Sequence, residues 1–322
     1  MILFVADHVN GKLKKSALEL VTAAGTVADG LGGEPIGVVL GGDVSAVAQE
    51  LSSYVAKVVA VEDAALADMR AEPYAAVVAT LAQDLGAKAV LVSASKSGLS
   101  YSPRVAVRLD APLLEDVTSL SVQDGAVVAT RFSYLSRVTE TVKALGTPVV
   151  VSVKPNVLPA ATGDVSGSVE TKSVTIPPEA QRVTVGERAA AKSGRVALDE
   201  ANIVVTGGRG VGGPEAFTNL IEPLADVMNA GVGSTRAVVD AGWRPYGEQV
   251  GQTGKTVSPD VYFALGVSGA VQHLSGMNRS KLIVAVNKDA DAPIFKVADY
   301  GVVGDVNTVL PALQEALQAQ KG

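Results

Sequence analysis

A glycine-rich joint in the second half of the chain has the spacing of a phosphate-binding turn. Gly208, Gly210 and Gly213 form the pattern G-x-G-x-x-G, which follows the β-branched run Ile203–Thr206 and precedes a predicted helix. In this setting, backbone N–H groups and a helix N-terminus can hold an anion such as a pyrophosphate. Arg209 adds a positive charge to the same turn. The pattern favours an anion or nucleotide contact over a turn without a ligand.

Two other nucleotide motifs fit the sequence poorly. An NAD-binding fingerprint needs an acidic residue at the end of the second strand, about 20 residues further on, but Asp226 falls inside a predicted helix. The triplet GKT at 254–256 resembles an ATP-binding loop. The glycine that this loop requires is replaced by Gln249, and Ser258–Pro259 breaks any following helix. The residues therefore argue against both motifs.

Further polar side chains occur where predicted strands end in this half of the chain. The segment 268–277 (SGAVQHLSGM) follows the apolar run Val261–Leu265 and carries His273, for which a ligand contact and a structural role both remain open. Because the carboxyl ends of parallel strands share one edge of a sheet, such a set suits one elongated ligand. Its other members are Ser234, Thr235, Arg236, Asn287 and Asp305.

Composition excludes several classes of protein. The 322 residues include no cysteine and only two histidines, His8 and His273, so thiolate chemistry, Fe–S clusters, disulfides and multi-histidine metal sites are excluded. Redox chemistry would therefore need an organic cofactor. The formal net charge of -6 argues against a nucleic-acid partner. We interpret Asp289 and Asp291 as a solvated turn rather than an acid–base pair.

The chain also lacks the sequence signals of a membrane protein. Although the mean hydropathy is +0.30, no apolar run approaches the ~20 residues that cross a bilayer. The first residues, MILFVADHVNGK, predict a buried strand rather than a signal peptide. We therefore expect a cytoplasmic protein that does not span a membrane.

Alternating short apolar runs and Ala-rich helical stretches predict the elements that position these residues. Over the first 150 residues this order predicts a mostly parallel sheet with right-handed crossovers. The Asp124–Gly125 pair predicts a hairpin between Leu120–Val122 and Ala126–Thr130. The predicted strands are Ile2–Ala6, Pro35–Leu40, Val55–Val61, Ala89–Ser93 and Val149–Val153, and the predicted helices are Leu13–Gly30, Val44–Ser53, Pro73–Leu85 and Ser102–Leu109.

Together these elements predict an α/β protein of two domains, each a mostly parallel sheet with flanking helices. We place an N-terminal domain at residues 1–155, an extended linker at 156–196 and a C-terminal domain at 197–322. The linker is interrupted by Pro and Gly and has few large apolar residues. Val183–Val185, near its end, is predicted as a possible edge strand.

Long segments of the sequence resemble the alpha-subunit family of electron transfer flavoproteins. In the second half they are VTGGRG (205–210), GSTRAVVDAGW (233–243), QVGQTGKTVSPDVYFALGVSGAVQHLSGM (249–277) and AVNKDADAPIFKVADYGVVGD (285–305). In the first half they are ADHVNG (6–11), SASKSGLSYSPRVAVRLDAPLLEDV (93–117) and SYLSRVTETV (133–142). The resemblance implies a nucleotide-binding-like N-terminal domain and a Rossmann-like FAD-binding C-terminal domain.

The resemblance also implies a function. A member of this family forms an alpha–beta heterodimer that carries one FAD and acts as an electron carrier rather than as an enzyme with its own substrate. It takes electrons from flavoprotein dehydrogenases, such as the acyl-CoA dehydrogenases of fatty acid β-oxidation, and passes them to a quinone-linked respiratory acceptor. AMP belongs to the beta subunit, so the N-terminal domain here is expected to be empty.

Other functions stay open at this stage. One is an NAD-linked oxidoreductase or a transhydrogenase-like domain, which the glycine spacing motivates. Another is a non-redox nucleotide-binding regulatory module that uses the first domain. Within the family, the sequence does not distinguish a housekeeping carrier from a specialised or bifurcating one.

Each matching residue receives an implied role from the resemblance. Arg209 matches a contact to the FAD phosphates, and Arg236 matches the arginine near the isoalloxazine ring. The Thr253 hydroxyl is expected near N5, and His273 near the pyrimidine carbonyl. We hypothesise that positive charge on Arg236 and His273, with Thr253, tunes the reduction potential. The other expected cofactor-binding residues are Gly210, Ser234, Thr235, Gln249, Val250, Gly251, Gln252, Gly266, Ser268, Gly269, Ala270, Val271 and Gln272, with Asn287 and Asp305 at the AMP half of FAD.

Overall fold

A computed structural model describes residues 1–134, 138–186, 196–198 and 201–321. Contacts between Cα atoms divide the chain into two units, Met1–Glu187 and Arg188–Gly322. Within the predicted linker, residues 187–195 lie outside the described residues. The predicted fold class is confirmed, because both units are α/β and their sheets are mostly parallel.

The N-terminal unit is built around a large twisted sheet with helices on both faces. Its strands are β1 (Ile2–Val5), β2 (His8–Val9), β3 (Lys12–Leu13), β4 (Pro35–Gly41), β5 (Lys57–Glu62), β6 (Ala89–Ser93), β7 (Leu113–Gln123), β8 (Ala126–Ser133), β9 (Val138–Lys143), β10 (Val149–Val153) and β11 (Ser168–Thr171). Its α-helices are α1 (Lys15–Leu31), α2 (Ser45–Leu51), α3 (Ala71–Asp84) and α4 (Lys96–Leu109).

Nine of these strands form one sheet in the order β11-β5-β4-β1-β6-β10-β7-β8-β9. Strands β1, β6 and β10 are buried along their whole length, because a parallel sheet covered by helices on both faces excludes water from every residue of its central strands. The predicted hairpin is confirmed: β7 pairs antiparallel with β8. Asp124 and Gly125 both have positive φ, of 50° and 70°, as a two-residue hairpin turn requires.

Two sequence-based boundaries in this unit are wrong. The edge strand is not at Val183–Val185, which lies outside any strand, but at β11, which pairs parallel with β5. Helix α4 begins at Lys96 instead of Ser102, because the Ser95 side chain accepts a hydrogen bond from the Gly98 N–H at 3.1 Å and caps the helix.

Much of the predicted linker packs on the N-terminal unit. The Asn156 N–H donates to Glu19 Oε2 on α1 at 2.8 Å. Further along, Ile176 and Ala180 are buried in the same apolar cluster as α3 residues. These contacts explain why the first unit extends well beyond residue 155.

The C-terminal unit has a smaller, wholly parallel sheet. Its strands are β12 (Ile203–Gly207), β13 (Gly231–Ser234), β14 (Val261–Leu265), β15 (Leu282–Asn287) and β16 (Tyr300–Val303), and its α-helices are α5 (Glu222–Met228), α6 (Arg236–Asp240), α7 (Val271–Leu274) and α8 (Val306–Lys321). The strand order is β13-β12-β14-β15-β16. The chain direction across the sheet therefore switches between β12 and β14, and ligands of open α/β sheets bind outside the carboxyl ends of the strands at such a point. No helix in the described part of the chain is long and apolar enough to cross a membrane.

Candidate functional site

A cavity of about 540 Å³ opens at the switch point of the C-terminal unit. It lies at the carboxyl ends of β12 and β14, and the turns after these strands, at Gly208 and Gly266, form part of its wall. Its volume is within the range of small-molecule sites, roughly 300–1,000 Å³. The site is therefore where the topology of the sheet predicts a ligand.

Backbone packing between the two turns explains their glycines. A Cβ atom on Gly208 would lie 2.3 Å from the Gly266 carbonyl oxygen, and one on Gly210 would lie 2.7 Å from the same atom. Gly266 itself has a φ of 62°, a conformation that favours glycine. The Gly210 N–H donates to the Gly266 carbonyl at 3.0 Å. Glycine is thus needed here for contact between the turns, whether or not a ligand approaches.

The structure argues against an NAD-binding fingerprint. In that motif the third glycine permits close packing of helix against strand, but a Cβ atom on Gly213 would meet nothing within 4 Å. The second strand, β13, ends at Ser234, where the fingerprint requires an acid. The G-x-G-x-x-G spacing therefore lacks two features of NAD sites.

The segment Gln249–Lys255 is a tight turn that forms another wall. Val250 and Lys255 form a β-bridge, and the Lys255 N–H donates to the Gln249 carbonyl at 2.7 Å. The Gln252 N–H donates to the Gln272 carbonyl at 2.8 Å, which joins this wall to α7. Neither strand nor helix flanks Gly254–Thr256, so its GKT triplet is not an ATP-binding loop.

Positive charge on the cavity wall comes from two guanidinium groups. Arg209 is exposed, and within the described residues its side chain forms no hydrogen bond or ion pair. Arg236 Nε lies 3.4 Å from Asp240 Oδ2, and both side chains are mostly exposed. Such an exposed pair is weak, so Arg236 can still act on a ligand. No group of three or more His, Cys, Asp or Glu side chains that could hold a metal ion occurs among the described residues.

His273 is buried at the base of the cavity and is held by two hydrogen bonds. Its Nδ1 lies 3.0 Å from the Val250 carbonyl, and its Nε2 lies 3.0 Å from the Tyr262 hydroxyl. Because a carbonyl only accepts, Nδ1 carries the proton, and in the neutral ring Nε2 accepts from Tyr262. Burial lowers the pKa of His273 to about 4. The hypothesis of a positively charged His273 is therefore corrected, since the ring is neutral at pH 7.

The cavity brings together most of the residues expected from the sequence. Four of them lie outside its lining. Ser234 is buried at the end of β13, Gly269 packs against Ile294, and Asp305 accepts a hydrogen bond from the Asn307 N–H at 2.8 Å at the start of α8; the fourth is Val271. Those that do line it are Arg209, Gly210, Thr235, Arg236, Gln249, Val250, Gly251, Gln252, Thr253, Gly266, Ser268, Ala270, Gln272, His273 and Asn287.

Several lining residues were not expected from the sequence. Asp240 lies one helical turn after Arg236, so helical spacing could have indicated it. Ala292 and Pro293 come from the loop after β15, and no local pattern marks them. The other unexpected members are Ala237, Val267 and Asp289.

Comparison with known proteins identifies the family. Residues 2–179 match the electron transfer flavoprotein domain, and residues 197–278 match the electron transfer flavoprotein FAD-binding domain. The chain belongs to the electron transfer flavoprotein alpha-subunit family. It is 39% identical to the alpha subunit of Bacillus subtilis (strain 168) over 315 residues, which cover 98% of this chain and 96% of the relative. The alpha subunit of Mycobacterium leprae (strain TN) is 41% identical over 326 residues, with 99% of both chains covered.

A third relative bears a different name: Protein FixB of Clostridium saccharobutylicum is 38% identical over 312 residues, with 96% of this chain and 93% of the relative covered. The family description also agrees with the location of the cavity. Of its 22 lining residues, 18 fall within the matched FAD-binding segment, and the other four are Asn287, Asp289, Ala292 and Pro293.

The chemistry of the wall suits FAD. Its diphosphate needs hydrogen-bond donors and positive charge, and Arg209 supplies both beside the backbone of its own turn. Polar groups remain available elsewhere: within the part of the chain that the structure describes, the side chains of Gln252, Ser268 and Gln272 form no hydrogen bond. The donor set thus fits a long, anionic ligand with polar groups along its length.

Proposed function

We propose that the chain is the FAD-carrying subunit of an electron transfer flavoprotein. One observation carries the proposal: the switch-point cavity of the C-terminal unit combines the exposed Arg209 with Arg236, and most of its wall belongs to the segment that matches the family's FAD-binding domain. FAD supplies one-electron redox chemistry when it is bound. We place one FAD in this cavity and none in the N-terminal unit.

The side chains of the wall bind and orient the cofactor in this proposal. Arg209 and the turn after it hold the phosphates, and Ser268 to His273 extend that contact toward the pyrimidine carbonyl. Thr235, Arg236 and the segment Gln249–Thr253 would line the part of the cavity that holds the isoalloxazine ring. Asn287 contacts the AMP half, and Asp305 acts there indirectly through the start of α8.

Arg236 raises the reduction potential because its charge favours added electrons nearby. A unit charge at about 4 Å contributes roughly 4 kcal/mol at an effective dielectric of about 20. Arg236 is mostly exposed and has Asp240 beside it, so only a fraction of that energy acts on a ligand. His273, being neutral, contributes a fixed dipole and a rigid support rather than charge.

The chain acts as a carrier without turnover of a substrate of its own. Nucleophilic or acid–base catalysis needs a reactive side chain within hydrogen-bond reach of a base. At the cavity wall, the one histidine among the lining residues is hydrogen-bonded to protein groups through both ring nitrogens and is not free to act as a base. Transfer of electrons between bound cofactors requires close approach instead.

Partners follow from the same proposal. The chain pairs with an electron transfer flavoprotein beta subunit, which holds AMP. In the cytoplasm, the heterodimer accepts electrons from flavoprotein dehydrogenases, such as those of fatty acid β-oxidation, and donates them to a quinone-linked acceptor.

Purification with and without a co-expressed beta subunit tests the proposal. The expected result is a yellow protein with one FAD per heterodimer, which a reduced flavoprotein dehydrogenase bleaches in stopped-flow mixing. Equilibrium titration with NAD should give no binding. A colourless heterodimer that rejects added FAD, or tight NAD binding at this cavity, would contradict the proposal and favour the oxidoreductase alternative.

A further inference from the structure

Thr253 is held at two points by the residues just before it in the chain. The Tyr246 hydroxyl donates to the Thr253 carbonyl. The Gln249 side-chain Nε2 donates to Thr253 Oγ1 at 2.9 Å. Thr253 is exposed at the cavity wall, whereas Gln249 is only 3% exposed. Thr253 therefore lies on the cavity wall, and its hydroxyl is held by the amide of a buried residue.

Gln249 is itself fixed by backbone hydrogen bonds. Its N–H donates to the Tyr246 carbonyl at 3.0 Å, and its carbonyl accepts from the Lys255 N–H at 2.7 Å. The next residue, Val250, donates its N–H to the Ser234 carbonyl at 2.9 Å at the end of β13. The Gln249 side chain therefore extends to Thr253 from backbone that is hydrogen-bonded to its neighbours and to the end of β13.

The direction of the amide hydrogen bond decides which way the Thr253 hydroxyl is polarised. A hydroxyl has one proton and two lone pairs. When one lone pair accepts from Gln249 Nε2, the hydroxyl proton cannot point at that amide nitrogen, because both groups would then present hydrogens. The proton is left to donate elsewhere, and the open side of Thr253 is the cavity.

We propose that Gln249 is a positioning residue that makes the Thr253 hydroxyl a hydrogen-bond donor toward the cofactor. This inference rests on the proposed function, since it takes FAD to be the ligand. A donor aimed at the ring interacts more strongly with an electron-rich reduced cofactor than with the oxidised one. Gln249 therefore raises the reduction potential through the Thr253 hydroxyl.

Two uncharged variants and their combination test this in the FAD-loaded heterodimer. Gln249→Met removes the amide at similar volume, and Thr253→Val removes the hydroxyl. Each is expected to shift the electron-sharing equilibrium with a reference dye about two- to tenfold toward oxidised protein, the range for one hydrogen bond. Adding Gln249→Met to Thr253→Val should then have no further effect. Gln318→Met, on the exposed face of α8, is the matched control and should not shift the equilibrium.

A third variant reverses the hydrogen bond. In Gln249→Glu, the ionised carboxylate can only accept, so it draws the Thr253 proton away from the cavity. The shift toward oxidised protein should exceed that of Gln249→Met and should diminish as the pH is lowered and the new carboxyl group is protonated. In the Thr253→Val background, only the smaller effect of the added charge should remain.

Three results would overturn the inference. One is a Gln249→Met shift of equal size with and without the Thr253 hydroxyl, which would mean that Gln249 acts by another route. Another is an unchanged equilibrium in Gln249→Met. The third is loss of FAD from Gln249→Met while Thr253→Val retains it, which would make Gln249 a direct FAD ligand. If the unmodified heterodimer holds no FAD, the failure is that of the proposed function instead.

Discussion

The two units carry different side chains at the carboxyl ends of their sheets, an acidic one in the first unit and basic ones in the second. In the N-terminal unit, Asp7 follows β1, and its carboxylate accepts a hydrogen bond from Ser95 Oγ at 2.9 Å at the start of α4. In the C-terminal unit, the corresponding joints carry Arg209 and Arg236 beside an open cavity. A helix N-terminus attracts anions; in the first unit a carboxyl group of the protein itself lies at this position, whereas in the second unit a cavity remains open.

This difference shows that sheet topology alone does not make a binding site. In each unit the strand order switches direction beside the first strand, which is β1 in the N-terminal unit and β12 in the C-terminal unit. Their side chains decide the outcome, since a buried acidic group, Asp7, lies at the joint after β1, whereas the exposed Arg209 at the joint after β12 offers a phosphate a positive charge. The units should therefore respond differently to pH, to ligand and to substitution.

The largest expected effect is acid destabilisation of the C-terminal unit through His273. The pKa of this ring is lowered from 6.5 to about 4, so the unfolded chain takes up the proton first as the pH falls. Between pH 6.5 and pH 4 this should remove roughly 3 kcal/mol of the free energy of unfolding. The variant His8→Gln leaves one histidine, whose ring should still be neutral at pH 5 in an NMR titration. A ring that titrates near 6.5 would refute the assignment.

The next effect is on FAD affinity. Arg209→Ala removes a charged donor from the expected phosphate contact and should weaken FAD binding about thirtyfold, which corresponds to about 2 kcal/mol. Fluorescence titration of the apo-heterodimer measures the change. Arg104→Ala removes an exposed arginine of the N-terminal unit, paired with Glu72, and should leave the affinity unaltered. Equal losses in both variants would mean that net charge, rather than the cavity, attracts FAD.

Arg236→Ala should change the reduction potential more than the affinity. Loss of the charge is expected to lower the first one-electron potential by tens of millivolts, since about 59 mV corresponds to roughly 1.4 kcal/mol. Spectroelectrochemical titration of the FAD-loaded variant measures this shift. A potential equal to that of the unmodified protein would remove Arg236 from redox tuning.

The smallest effect is expected at Asp7. Burial raises the pKa of this carboxyl, partly offset by the Ser95 hydrogen bond, so its charged form opposes folding at neutral pH. Asp7→Asn keeps an acceptor for Ser95 and should raise the free energy of unfolding by up to about 1 kcal/mol at pH 7. The gain should diminish as the pH falls and disappear below 3.8, where Asp7 is protonated in both the folded and the unfolded state. Urea titrations at pH 7 and below pH 3.8 measure the change in the free energy of unfolding. Weaker FAD binding in this variant would contradict the proposed difference between the two units.

The sequence predicted elements whose signal is local. Buried strands such as Ala89–Ser93 were located by their apolar runs, and the Asp124–Gly125 hairpin by its turn chemistry. Strand β11 was missed because all four of its residues are exposed, so no apolar alternation marks it. It exists only because its backbone meets β5 at the sheet edge, a contact that no local pattern encodes.

The residues of the candidate site likewise divide into those with a local sequence signal and those without one. Arg209, Gly210 and the segment Gln249–Thr253 carried recognisable motifs and lie on the cavity wall. Ala292 and Pro293 reach it only because a loop after β15 folds back, and the neutral state of His273 follows from burial, which the sequence does not reveal.

Hydrogen–deuterium exchange of the heterodimer with and without FAD tests the central claim most directly. Our account predicts that FAD slows exchange in residues 208–211, 235–240, 249–255 and 266–275, and that the segment 93–98 after β6 is unaffected. Protection of residues 93–98 together with unchanged exchange around Arg209 would contradict it, because the cofactor would then occupy the N-terminal unit.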